Sequence, residues 1–263
     1  TNQEGLQVVR GTAEVLAPSE KISHIRQEHM PSIRIDDKHE RYLNLLASVK
    51  GLEPIPTAVA HPCDVESLKG PVIAFQEGII EPFLIGPESK IRSVAEEFGI
   101  DLHGIRIVNA KHSHDSAAMA VSMVRTGDAE ALMKGSLHTD ELMSEVVSRA
   151  NGLRTSRRIS HVFVMNVPTY HRPLLITDAA INIKPTLEDK VDIIQNAIDL
   201  AHILGIPEPK VAILSAIETV NPKIQSTLDA AALCKMADRG QIKGGLLDGP
   251  LAFDNAVSIV AAK

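Results

Sequence analysis

The sequence predicts an α/β fold built on mostly parallel sheets, and three observations carry that reading. Short, nearly unbroken apolar runs recur along most of the chain, as in strands covered on both faces. Stretches of helical period separate them at the spacing of strand–helix–strand crossover units. The chain has 263 residues, 44% of them hydrophobic, which at about 150 residues per domain means two domains or one large α/β unit.

The elements follow in chain order. Residues 6–17 (LQVVRGTAEVLA) read as a β-hairpin arm, and with the polar segment after it they set residues 1–35 apart as a junction. A helix is expected over 36–49. PVIAF at 71–75 and FLIG at 83–86 read as strands, with a helix over 89–98. IRIVN at 105–109 precedes a helix over 115–125, and ALM at 131–133 precedes one over 138–150. VFVM at 162–165 and LLIT at 174–177 are further strands. The clearest helix spans 187–204: Thr186 can cap it, Glu188 and Asp189 suit the positive end of its dipole, and Gly205 with Pro207 stops it. Leu187, Val191, Ile194, Ile198 and Ala201 fall on one face of it. VAILSA at 211–216 is a strand, a helix starts near Pro222 and stops before Gly240, and GGLL at 244–247 closes the series. Residues 36–150 are expected to form one subdomain and 151–263 a second. The second reads as C-terminally incomplete, because Lys263 follows a strand and a Gly-Pro turn with no closing element.

Composition excludes several classes of function. The apolar content is too high for a disordered coil, and no run of about 18 residues escapes charges, so no membrane span is expected. A net charge of −6 argues against nucleic-acid binding, and with aromatics at 3% base-stacking platforms are poorly supplied. Cys63 and Cys234 cannot alone make a disulfide framework or a zinc site. The start carries no apolar signal segment, so a cytoplasmic location is expected.

Chemistry concentrates in a few places. KGSLHTD at 134–140 sits between a strand and a helix. Such a turn offers unpaired backbone N–H groups and the hydroxyls of Ser136 and Thr139, with Gly135 for close approach, where an anion binds most cheaply. Lys134 adds charge and His138 a donor. The alternative is an ordinary capped turn, and the spacing is not that of a Walker loop. Downstream lie Arg149, Arg154, Arg157 and Arg158, suited to a phosphate's oxygens or to a solvated loop. Asp178 and Asn182 end one strand, Ser215 and Glu218 another, and Asp248 with Asp254 a third; polar residues at the carboxyl ends of parallel strands line ligand crevices. Asp248 and Asp254 fit an acid/base role, or an Asx turn and a helix cap. His112 and His114 read as solvated rather than as metal ligands, and no metal is expected. Cys63 lacks a defined base, and the glycines at 240, 244, 245 and 249 do not make a dinucleotide fingerprint.

Four ordered blocks then resemble one family: KGSLHT, TDAAINIKPTLEDKVDIIQNAIDLA at 177–201, VAILSAIETVNP at 211–222 and LDGPLAFDNAVS at 247–258. They are similar to the phosphate acetyltransferase and phosphate butyryltransferase family, strongly over about 130–258 and more weakly back to about 50. KGSLHT resembles the butyryl-type branch. The first 20 residues resemble the end of a MaoC-like, hot-dog enoyl-CoA hydratase domain. The resemblance implies the transferase half of a bifunctional protein, with 36–150 and 151–263 as its two α/β subdomains. It implies an architecture like that of isocitrate and isopropylmalate dehydrogenases, a homodimer, and a cleft between the subdomains. It implies reversible transfer of a short acyl group between CoA and phosphate, giving acyl phosphate, with no cofactor because CoA is a substrate. It puts a Ser-Arg pair and an aspartate base beyond residue 263. Within the chain it implies Ser136, His138 and Asp248 as catalytic groups. Lys134, Gly135, Thr139, Arg157, Arg158, Asp178, Asn182 and Gly249 would bind phosphate or acyl-CoA. The competing readings are an NAD-dependent decarboxylating dehydrogenase on the same fold and a truncated, non-catalytic dimerisation module.

Overall fold

A four-stranded, all-parallel sheet in the order β3-β2-β1-β4 organises the N-terminal half of the computed structural model. The structure describes residues 40–262, apart from 168, 169 and 171. The expected hairpin arm at 6–17, and the junction over 1–35, lie outside the described residues. The strands are β1 (Ile55–Ala60), β2 (Ile80–Gly86), β3 (Arg106–Asn109) and β4 (Ala131–Lys134). In register, Ala58 stands opposite Phe83 on one side and Leu132 on the other, and Phe83 opposite Arg106.

Helix α1 (Glu40–Val49) precedes the sheet, and α2 (Val65–Gln76), α3 (Glu88–Phe98), α4 (Ser113–Thr126) and α5 (Thr139–Val146) flank it. Val59, Leu84, Leu68, Ile91 and Ala95 form the core on the α2/α3 face. Ala58, Ala60, Phe83, Ile85, Ala117, Ala120 and Leu142 form it on the α4/α5 face. The alternation Ala58–Val59–Ala60 therefore sends successive side chains into two separate cores, which is why β1 carries no polar face.

One expectation fails here, and one strand goes unexpected. PVIAF at 71–75 is not a strand but the second half of α2. Asp64 caps that helix, its Oδ1 accepting from Ser67 N at 2.8 Å, and Leu68, Pro71 and Val72 are buried while Ile73 is 54% exposed. A short apolar run has the same composition in either state, and the local cap decided it. The strand in that region is β1, whose Pro56, Thr57 and small alanines weaken the apolar signal.

Every remaining strand follows residue 151. Strands β5 (Phe163–Met165) and β6 (Leu174–Ile176) pair antiparallel, and β7 (Lys210–Leu214) pairs parallel with β8 (Leu246–Leu251). Helices α6 (Leu187–Ile203) and α7 (Gln225–Asp238) cover one face of β7 and β8 through Ile194, Ile198, Leu233, Val211, Ile213 and Leu247, and a five-residue α8 (Phe253–Val257) follows. The sheet expected to be covered on both faces is covered on one: β7 alternates, with Leu214 49% and Leu246 51% exposed. The last strand also begins two residues later than expected and runs through the cis Gly249–Pro250 bond.

Candidate active site

The order β3-β2-β1-β4 reverses direction at β1. The chain leaves β1 for α2 on one face and β4 for α5 on the other, so the carboxyl ends of these neighbouring strands form a topological switch point. Open parallel sheets bind ligands at such switch points.

The β4–α5 turn is built against β1. Gly135 N donates to Ala60 O at 2.8 Å and Ser136 N to His61 O at 2.9 Å. Gly135 is buried, and a Cβ there would collide with the Ala60 and His61 carbonyl oxygens, so only glycine lets the strands close. The Ser136 hydroxyl donates to His61 O at 2.9 Å and accepts from Cys63 N at 3.2 Å. Expected as a catalytic group, it ties the two loops together in this structure. Lys134 is exposed, its Nζ 3.3 Å from Gly135 O. His138 sits exposed at the N-cap of α5 and makes no capping bond, and among the described residues no side chain is bonded to the first-turn amides that Thr139 opens. The turn thus presents an ammonium group, an imidazole and uncapped N–H donors.

His61 was missed in the sequence. It follows β1 in His-Pro-Cys-Asp, a polar ending like the others, but an unrecognised strand hides its own end. Its φ of +56° places a non-glycine residue in the left-handed region, at a cost of about 1–2 kcal/mol. The reward is its carbonyl, which accepts from Ser136 N, Ser136 Oγ and Cys63 N. Its Nδ1 lies 3.2 Å from Ser116 Oγ on α4. Burial and then Lys90 push the imidazole below its ordinary value, Glu141 opposes them, and His112 adds to the lowering. Burial pushes the Cys63 thiol up, which disfavours the thiolate that a nucleophile needs.

The downstream candidates form a different network. Asp178 accepts from His161 N at 2.8 Å, Asn182 N at 2.6 Å and Asn182 Nδ2 at 2.5 Å. Arg158 Nε donates to Asn182 Oδ1 at 2.7 Å, and its NH1 lies 3.7 Å from Asp189. Arg157 pairs with Asp199 at 2.5 Å, and Arg158 N donates to Asp192 at 2.7 Å. The Arg157 guanidinium thus binds α6, and that of Arg158 binds α6 and the 178–182 turn. Asp248 is exposed and accepts from Gly249 N at 2.8 Å. Ser215 meets Ser226 at 2.8 Å, and Glu218 accepts from Asn255 at 2.9 Å. His112 caps α4, accepting from Asp115 N at 3.2 Å. Among the described residues no cluster of three or more His, Cys, Asp and Glu side chains could hold a metal ion.

Comparison with known proteins adds a family. Residues 110–263 match the family described as phosphate acetyl/butaryl transferase. The chain is 54% identical over 251 residues to a phosphate acetyltransferase of Rickettsia prowazekii, an overlap of 95% of this chain and 72% of that one. It is 42% identical over 218 residues to a phosphate butyryltransferase of Clostridium acetobutylicum, covering 83% and 72%. Among solved structures it resembles a branched-chain phosphotransacylase from Enterococcus faecalis, with a TM-score of 0.61, 27% identity and coverage of 79% and 72%.

Proposed function

Because the chain belongs to the phosphate acetyl/butyryl transferase family, we propose that its β1/β4 switch point is the phosphate side of the active site. The enzyme transfers an acyl group reversibly between CoA and phosphate. A phosphate oxygen attacks the thioester carbonyl carbon, the tetrahedral oxyanion collapses, the C–S bond breaks, and the departing thiolate takes up a proton. The products are acyl phosphate and free CoA. What the protein must supply is positioning of the anion, donors for the oxyanion and a proton path for sulfur.

One observation carries the placement: the turn joins an exposed Lys134 to first-turn amides of α5 that no side chain caps among the described residues, at the point where the strand order reverses. Lys134, His138 and the amides from Thr139 onward contact the phosphate, while Gly135 and Ser136 hold the turn in place. Asp178, Asn182, Arg157, Arg158, Asp248 and Gly249 serve the acyl-CoA side, the arginines by exchanging their carboxylate partners for phosphate oxygens. No cofactor is needed, because addition and elimination at a carbonyl consumes none.

The test is Lys134→Met, with kinetics in both substrates. The KM for phosphate should rise about tenfold to a hundredfold, the scale of a charge-assisted hydrogen bond, with the KM for acyl-CoA little changed. An unchanged phosphate KM would overturn the placement.

The assembly belongs to the same proposal. Phe163, Val164 and Met165 in β5 are 49%, 48% and 42% exposed, an apolar ribbon that a second copy of the chain would cover in a homodimer; sedimentation at micromolar concentration is the check. The hydratase-like opening residues support a bifunctional protein with an enoyl-CoA hydratase domain upstream. Among the described residues no helix is long and apolar enough to cross a membrane, and we place the enzyme in the cytoplasm.

A further inference from the structure

Among the described residues the His61 ring is held at one edge only. Its Nδ1 lies 3.2 Å from Ser116 Oγ, and Ser116 gives its own hydroxyl proton to the His112 carbonyl at 2.8 Å. A hydroxyl has a single proton, so Ser116 accepts from the ring and the hydrogen sits on Nδ1. In the neutral imidazole Nε2 is then a bare acceptor, and the hydrogen bonds among the described residues leave it unused. The titratable and charged groups around the ring are Lys90 on α3, His112 before α4 and Glu141 on α5. Burial leads, Lys90 and His112 add to it, and Glu141 opposes them; the ring stays neutral at pH 7. The same residue clasps Ser136 through its carbonyl, which ties position 61 to the β4–α5 turn, and Glu141 on α5 lies close enough to act on the imidazole.

We propose that His61 is a specificity-determining residue whose Nε2 accepts the O–H of hydrogen phosphate. This rests on the reading that phosphate binds at the β4–α5 turn. The hydrogen phosphate dianion carries one O–H, whereas sulfate, of similar size and equal charge, carries none. An acceptor nitrogen rewards the first and sets a lone pair against an oxygen of the second. It also orients the phosphate, turning the three unprotonated oxygens toward Lys134 and the α5 amides. Arsenate, which keeps an O–H, passes the same filter.

The experiment measures the phosphate KM and the inhibition constant of sulfate in purified wild-type enzyme, His61→Asn, Ser116→Ala and Lys134→Met. Asn tolerates the left-handed backbone of position 61. In His61→Asn the preference for phosphate over sulfate should fall about tenfold or more, chiefly through the phosphate KM rather than kcat. Ser116→Ala, which frees the ring's tautomer, should lower the preference by a smaller factor, and it decides the matter if His61→Asn does not fold. If Lys134→Met raises the phosphate KM while the preference is unchanged in the foldable His61 and Ser116 variants, the role of His61 is overturned and the phosphate placement stands. If Lys134→Met leaves that KM unchanged, the placement falls and this inference with it.

Discussion

Gly135 carries more of the site than any charged group in it. A methyl there would enter the Ala60 and His61 carbonyl oxygens, both backbone atoms of the central strand's end, which cannot swing aside. Gly135→Ala should therefore destabilise the protein by about 1–3 kcal/mol, the range of overpacked sites, read as a lower urea midpoint. It should also raise the phosphate KM, because the turn can no longer close. Asp178 gives the pH-dependent counterpart. Burial pushes its carboxyl up, but the bonds from His161 N, the Asn182 side chain, Asn182 N and Ile181 N outweigh it and leave it below the usual range. A depressed carboxyl stabilises the fold above its unfolded value of about 3.9 and loses that contribution as the pH falls through the folded value. Asp178→Asn should be less stable than wild type at pH 7, by about 1 kcal/mol after allowance for solvent. The gap should close below about pH 4, and equal midpoints at neutral pH would refute the assignment. At this scale the sequence showed the turn and its residue types. It could not show that the Ser136 hydroxyl is committed, because its partner, His61 O, lies 75 positions away.

Helix α6 was legible nearly to its last residue because its signals are local. Thr186 Oγ1 accepts from Asp189 N at 3.2 Å, and Asp189 Oδ2 accepts from Thr186 N at 2.9 Å, a reciprocal cap formed within four residues. Thr186→Ala should cost about 0.5–2 kcal/mol, seen as a lower melting temperature; no change would mean that packing alone holds the helix. The apolar face found by periodicity is the face that meets Leu233 and Ile242. The polar face was not legible as a binding surface, yet Asp189, Asp192, Asn196 and Asp199 hold the segment that carries Arg157 and Arg158. A basic cluster in a sequence names donors without naming acceptors, and here an acidic helix face about 35 residues away holds them. β1 was lost for a related reason: burial on both faces by small side chains leaves little apolar signal to read.

Across the molecule, the fold class and the parallel pairing were readable from alternation of element types, while the strand order was not. β1 and β4 are neighbours although Thr57 pairs with Ala131, and the intervening chain contributes β2, β3, α2, α3 and α4. That order has a consequence for how the enzyme comes into being. The stretch from β1 to β3 can assemble from neighbouring segments, but β4 must close a loop through everything between, and such closure is paid in chain entropy before any contact rewards it. The β4–α5 turn is the seam of that closure, so it should form late and open early. In native-state hydrogen exchange the amides of Gly135 and Ser136, bonded to Ala60 O and His61 O, should lose protection at lower denaturant than Leu84 and Ile85 in β2. Phosphate should slow exchange at the seam far more than in the β2 strand, since a ligand there protects against the opening that β4 undergoes. On the proposed placement, each departure of β4 from β1 would empty the phosphate site, and each bound anion would hold it shut.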